Sequence, residues 1–132
     1  MLNKENTTYV TFIGLFMLIV SIICFIFPQI FDANFATAEV EDQIDLRIRY
    51  SALPLGIGAF LLFYGKPPQQ HNSLIFVKGL LLIDLGYLST RFTSMLIHGF
   101  DVSIHQKWLL IELLIAIGLA IIIKLKKASP RA

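Results

Sequence analysis

One stretch of the chain sets titratable and hydroxyl side chains at helical spacing inside an apolar run: Asp84, Tyr87, Arg91, Ser94 and His98, three, four, three and four residues apart. At about 100° per residue these positions fall within one narrow sector of a helix. Lipid does not tolerate such a stripe, because an ionisable group held in hydrocarbon is costly unless it is paired, hydrated or snorkelled. The stripe therefore faces a bundle interior or a partner subunit. Two further charges lie near the ends of other apolar runs, Arg47 and Glu112. With a rise of about 1.5 Å per residue, Arg47, Arg91 and Glu112 fall within about 10 Å of one membrane surface, with His98 above them and Asp84 about 10 Å deeper than Arg91.

The expected arrangement is an Arg47–Glu112–Arg91 cluster lining an outward-facing concavity. Two guanidinium groups against one carboxylate leave a positive excess, which suits a carboxylate, a phosphate or a lipid head group with its tails alongside the helices. The ligand-binding candidates are Arg47, Arg91, Glu112, Asp84, Tyr87 and His98. A purely architectural role competes with this reading, since intramembrane Arg–Glu pairs also set helix register. Asp84 is either a hydrogen-bonded structural acid or a proton-exchanging one.

Other chemistry is weakly represented. His98, Asp101 and His105 have a His-x2-Asp-x3-His spacing, but they surround a loop and no fourth ligand is evident, so neither a metal nor a cofactor is expected. Gly56-Ile57-Gly58 lies inside an apolar run and lacks the strand–turn–helix setting of a phosphate loop. There is no Gly-x-Ser-x-Gly nucleophile elbow. The single cysteine, Cys24, cannot form an intramolecular disulfide, and it excludes the paired-thiol chemistry of quinone-linked redox proteins. The chain has the size of a small proton-coupled multidrug transporter, yet its first span carries none of the acid those proteins place there. Membrane glutathione-dependent enzymes are also similar in length, but Asp45-Leu46-Arg47-Ile48-Arg49-Tyr50 does not reproduce their second-helix motif.

The elements that position these residues follow from composition. The chain has 132 residues, 56% hydrophobic and 15% charged, with a mean hydropathy of +0.73. A soluble domain averages roughly 25% charged residues, so this composition belongs to lipid. Spans are expected at about residues 9–27, 44–64, 73–98 and 108–125, within one integral-membrane domain covering 1–132. The runs are continuous instead of alternating, which indicates helices and not barrel strands. A signal peptide is a competing reading of the first run, because Lys4 precedes it and Ala36-Thr37-Ala38 looks like a cleavage site. That run exceeds the usual h-region of about 7–15 residues, so it is expected to be retained as a span.

Helix faces suggest how the spans meet. Arg47, Ser51, Pro54 and Gly58 share a small, polar sector of the second helix, suited to close packing. Thr11, Gly14, Leu18 and Ser21 share one on the first, and Glu112, Ala116 and Leu119 one on the fourth; together these faces could close a four-helix core. Lys78 points away from the stripe and is expected to snorkel, while Arg49 reaches towards lipid phosphates or the loop from Gln29 to Gln43, where Asp32, Glu39, Glu41 and Asp42 cluster. Lys4, Lys66, Lys78, Lys124, Lys126, Lys127 and Arg131 outweigh Arg47, Arg49 and Lys107, which places both termini in the cytoplasm. The net charge of +2 is spread along the chain and does not favour nucleic acid.

Leu46-Arg47-Ile48-Arg49-Tyr50 followed by Leu55-Gly56-Ile57-Gly58 resembles the Arg-x-x-Tyr-Gly-Gly-x-x-Leu-Gly entry of a bacterial four-span family, the domain of unknown function DUF4345. Arg91 before His98-Gly99 and an early Glu112 extend the resemblance, while Ser51 and Ala52 stand where the family has its glycine pair. The resemblance implies a bacterial inner (plasma) membrane protein with Arg47, Arg91 and Glu112 as its polar signature, and it implies no activity.

The fold expected is an antiparallel four-helix transmembrane bundle, multi-pass, with N- and C-termini cytoplasmic. The leading functional reading is a non-enzymatic protein that binds a lipid or other amphiphile, or serves as an accessory subunit of a larger membrane complex. Its partners would be membrane lipids and a second copy of itself or a complex. The alternative is a proton- or solute-conducting subunit acting as a homo-oligomer, with Asp84 and Arg91 on the path. A third class is an enzyme acting on a lipid or isoprenoid, using Asp84, Glu112 and His98 as acid–base groups.

Overall fold

A computed structural model describes residues 4–65 and 74–129 of the chain, with side chains from Thr7 onward. Four helices are present: α1 (Lys4–Ile26), α2 (Val40–Tyr64), α3 (Ile75–His98) and α4 (Ser103–Ala128). Two short 3-10 turns, Pro28–Ile30 and Phe35–Thr37, join α1 to α2. No strand occurs among the described residues. Lys66 and Arg131, which enter the Lys/Arg bias, lie outside the described residues, as do Pro67 and Pro68, which the sequence sets after the second span.

All four helices are long and apolar enough to cross a membrane. A helix satisfies every interior backbone donor and acceptor within itself, which hydrocarbon demands. Large apolar side chains such as Phe12, Phe16, Phe63, Phe76, Leu114 and Leu125 point out of the bundle. In water such a surface drives association; against acyl chains it is the ordinary solvent-facing side. The protein is a small multi-pass membrane protein built as an antiparallel four-helix bundle.

The helices pack in chain order, α1 on α2, α2 on α3 and α3 on α4, so that α2 and α3 form the central pair. Small residues allow the closest approaches. A Cβ built on Gly56 would lie 2.5 Å from the Ile83 Cα, and one on Gly86 would lie 2.6 Å from the Ala52 carbonyl oxygen. Between α1 and α2, a Cβ on Gly58 would meet the Gly14 carbonyl at 2.9 Å. About two turns back towards the start of α2, the Ser21 hydroxyl donates to the Ser51 carbonyl at 2.7 Å. These contacts join the two small-residue sectors read from the sequence.

The buried apolar cluster is not a four-sided centre. It sits at one end of the bundle, where Ile44, Ile48 and Ala52 of α2 meet Met95 of α3, with Tyr87, Val102 and Leu109 packed around them. Beyond Ala116, α4 has no buried residue. The end that holds this cluster also holds the α1–α2 connection and the α3–α4 turn, and Gly99 makes that turn with φ 105° and ψ 155°. Only glycine adopts that backbone region readily.

Helix starts differ from the sequence reading. α2 begins at Val40 and takes Glu41 and Asp42 into its first turn, where acidic side chains complement the positive end of the helix dipole. α4 begins at Ser103 and makes His105 and Lys107 helical. Counting apolar residues locates the hydrocarbon, whereas helical hydrogen bonding continues into the polar boundary.

Candidate functional site

Extending α4 back to Ser103 puts His105, Trp108, Glu112 and Ala116 at spacings of three, four and four. One helical face thus carries a buried imidazole and a buried carboxylate. Opposite them, α3 presents Arg91, which is 6% exposed. Its Nε donates to Glu112 Oε1 at 3.1 Å and Oε2 at 3.0 Å, and its Nη2 donates to Oε1 at 2.9 Å. The planar guanidinium fork matches the carboxylate in the way that makes Arg the preferred partner for a buried acid.

The remaining guanidinium nitrogen assigns the state of His105. Arg91 Nη1 lies 2.6 Å from His105 Nδ1, and His105 Nε2 lies 3.0 Å from the Glu41 carbonyl oxygen. An arginine always donates, so Nδ1 accepts, and a carbonyl always accepts, so Nε2 carries the hydrogen. His105 is therefore neutral, in its Nε2–H form. One continuous chain of hydrogen bonds runs from α4 through α3 and back to the first turn of α2.

This network closes one side of a cavity of about 440 Å³ lined by Glu41, Asp42, Asp45, Tyr87, Ile104 and Trp108 together with Arg91, His105 and Glu112. Its floor is charged and buried, its wall aromatic, and its α2 side acidic. Asp45 also meets Arg49 at 2.7 Å, an exposed i,i+4 pair. Arg49 thus bonds an acid of its own helix while staying largely exposed.

Of the sequence-read residues, Arg91, Glu112 and Tyr87 come together here. Arg47 does not join them. Its Nη1 donates to the Phe25 carbonyl of α1, and its guanidinium lies 5.2 Å from the ring centres of both Phe25 and Phe35. On α2 the face turned to α3 and α4 is that of Ile44, Ile48 and Ala52, whereas Arg47 and Ser51 share the face turned to α1. Position 47 is one residue, about 100°, away from position 48.

His98 also falls outside the cavity lining. Its Nε2 is buried without a hydrogen-bond partner among the described residues, and it interacts electrostatically with Arg47. Asp84 lies deeper, within electrostatic range of Glu112, and its Oδ2 is likewise buried and unpartnered among the described residues. Lys78 does not snorkel outward: it is buried, with Nζ 4.9 Å from the Tyr64 ring centre. A cation over an aromatic face is stabilised without leaving the bundle.

His98, Asp101 and His105 do not converge, because His105 is turned to Arg91 and Glu41; no group of three metal-ligating side chains gathers among the described residues. The sequence reading missed His105, Trp108 and the acidic trio of α2. The signal that could have found the first two was the repeat of His105, Trp108, Glu112 and Ala116, which crosses the expected loop boundary.

No family model matches the chain, no curated protein matches it, and no solved structure matches it.

Proposed function

We propose that the protein is of non-enzymatic type and holds the head group of a lipid or other amphiphile in the cavity floored by Arg91, His105 and Glu112. The cavity carries the reading: about 440 Å³ of space combines a buried polar floor with the aromatic and apolar wall of Tyr87, Ile104 and Trp108. Ligand sites are typically apolar concavities with a few convergent polar groups. This one sits at an end of the bundle, where spans meet the head-group region.

The charges favour a cationic head. Glu112 neutralises Arg91, Arg47 lies on another face, Asp45 is paired with Arg49, and Glu41 and Asp42 add negative charge to the lining. An ammonium gains from those carboxylates and from the Tyr87 and Trp108 rings, whereas a carboxylate or phosphate does not. We accordingly replace the anionic ligand expected from the sequence with an amine-bearing amphiphile. The Lys/Arg bias supports cytoplasmic termini in an inner (plasma) membrane, with this cavity on the opposite side.

Native mass spectrometry from a lipid-retaining detergent tests this. Retention of an amine-bearing lipid, weakened by Glu41→Gln with Asp42→Asn and by Trp108→Ala, is the expected result. Lipid-free protein, or retention indifferent to those changes, contradicts it. The same spectra report whether the protein travels as a homo-oligomer or within a larger membrane complex.

Asp84 favours a second reading, conduction of protons or a solute by a homo-oligomer. One of its carboxylate oxygens, without a partner among the described residues, lies below the cavity within electrostatic range of Glu112, continuing the polar row into the membrane. Proteoliposome flux abolished by Asp84→Asn supports that reading, and absence of flux under either direction of pH gradient removes it.

A further inference from the structure

His105 is the one uncharged titratable group in the network, and its hydrogen-bonding role changes with its charge. It is 3% exposed and wedged between a guanidinium and a backbone carbonyl. The contact at 2.6 Å exists because Nδ1 offers a lone pair to Arg91. Placing a proton on Nδ1 turns it into a donor facing a donor, and sets two cations in contact at a buried position.

The groups facing the imidazole determine where it goes. Arg91 of α3 repels the protonated ring. Glu41, Asp42 and Asp45 of α2, and Glu112 on its own helix, attract it; all five line the same cavity. The Nε2–H bond to the Glu41 carbonyl serves both charge states, so the ring can turn about that end while Nδ1 leaves Arg91.

We infer that His105 is a proton-operated latch of this cavity: neutral, it ties α4 to Arg91 and to the first turn of α2, and protonated it leaves Arg91 and moves towards the acidic side. Proton uptake thereby shifts the first turns of α4, which carry Trp108, and redraws the floor of the site. The inference rests on the proposed site only for its biological use; the movement needs no ligand.

The chain offers direct readouts. Trp108 is its sole tryptophan and lines the cavity, and its histidines are His71, His98 and His105. The full chain carrying His71→Gln and His98→Gln, in dodecyl maltoside micelles without added lipid, leaves His105 as the one imidazole. Its ¹⁵N spectrum, followed from alkaline to acid pH, is expected to pass from the neutral Nε2–H form to the cation. Trp108 emission shifts in step. His105→Gln abolishes the shift, because its amide oxygen accepts from Arg91 and its amide nitrogen donates to Glu41 without titrating.

A neutral Nδ1–H form, an imidazole that takes up no proton, or an emission shift that survives in His105→Gln overturns the latch. The imidazole spectrum decides even if His105→Gln fails to fold. Because the micelles hold no amine-bearing lipid, failure of the amphiphile reading leaves these results untouched, and a failed latch leaves lipid retention to be measured on its own.

Discussion

Arg91 and Glu112, 21 residues apart in sequence, form a buried ion pair across α3 and α4 in which Nε and Nη2 of the guanidinium both bond the carboxylate. His105 occupies the third guanidinium nitrogen, so all three nitrogens of Arg91 bond groups inside the protein.

Removing one partner strands the other. Arg91→Leu leaves the Glu112 carboxylate buried without a counter-charge and is expected to cost about 3–5 kcal/mol. Arg91→Leu together with Glu112→Leu recovers much of that, because an apolar pair needs no compensation. Unfolding by SDS titration from bicelles measures both, and a double variant as unstable as the single contradicts this account of the buried pair.

The α2–α3 seam is set by backbone contact. Gly56→Ala or Gly86→Ala places a methyl against main-chain atoms at 2.5 or 2.6 Å, which a rotamer change cannot relieve. Each is expected to destabilise by about 1–3 kcal/mol. Gly118→Ala meets nothing within 4 Å and gains up to about 1 kcal/mol from helix propensity. The same titration separates the two classes.

Arg47 holds α1 and the α1–α2 connection through its planar head. Arg47→Lys keeps the charge and loses the stacked geometry between Phe25 and Phe35, with an expected loss of about 1–2 kcal/mol. Lipid retention should remain at the wild-type level in this variant, since Arg47 does not line the cavity. Retention falling as steeply as in Trp108→Ala places Arg47 in the site after all.

Gly99 terminates α3 at φ 105° and ψ 155°. Gly99→Ala meets no steric obstacle, as nothing lies within 4 Å of its Cβ, so its cost is purely that of the backbone. About 1–3 kcal/mol is expected, seen as a lower unfolding midpoint and as faster amide exchange around Phe100–Val102.

Much of the architecture was legible because lipid imposes few solutions. Continuous apolar runs of span length suffice to announce helices, and the facing sectors of Gly14, Leu18 and Ser21 with Ser51 and Gly58 were readable from size and spacing. The Arg91–Glu112 pair followed from depth alone. Arg47 was misplaced because depth does not specify rotation: two α2 faces about 100° apart both offer a wall to a neighbour. His105 was missed because a span is recognised by apolar residues, while the helix that carries it begins in polar surroundings.

The sequence by itself determined that this chain crosses a membrane as four helices and that Arg91 and Glu112 share a depth, since hydrophobicity and rise per residue act locally and add along the chain. Only the tertiary structure decided which polar groups meet. The rotation and register of α1, α2 and α3 follow main-chain contact at Gly56, Gly86 and Gly58, and α4 is tied to α3 by the bonds of Arg91 to Glu112 and His105, all contacts between residues far apart in the chain. That packing turns Arg47 to α1, turns His105 to Arg91, and leaves the cavity acidic where the sequence implied a positive site.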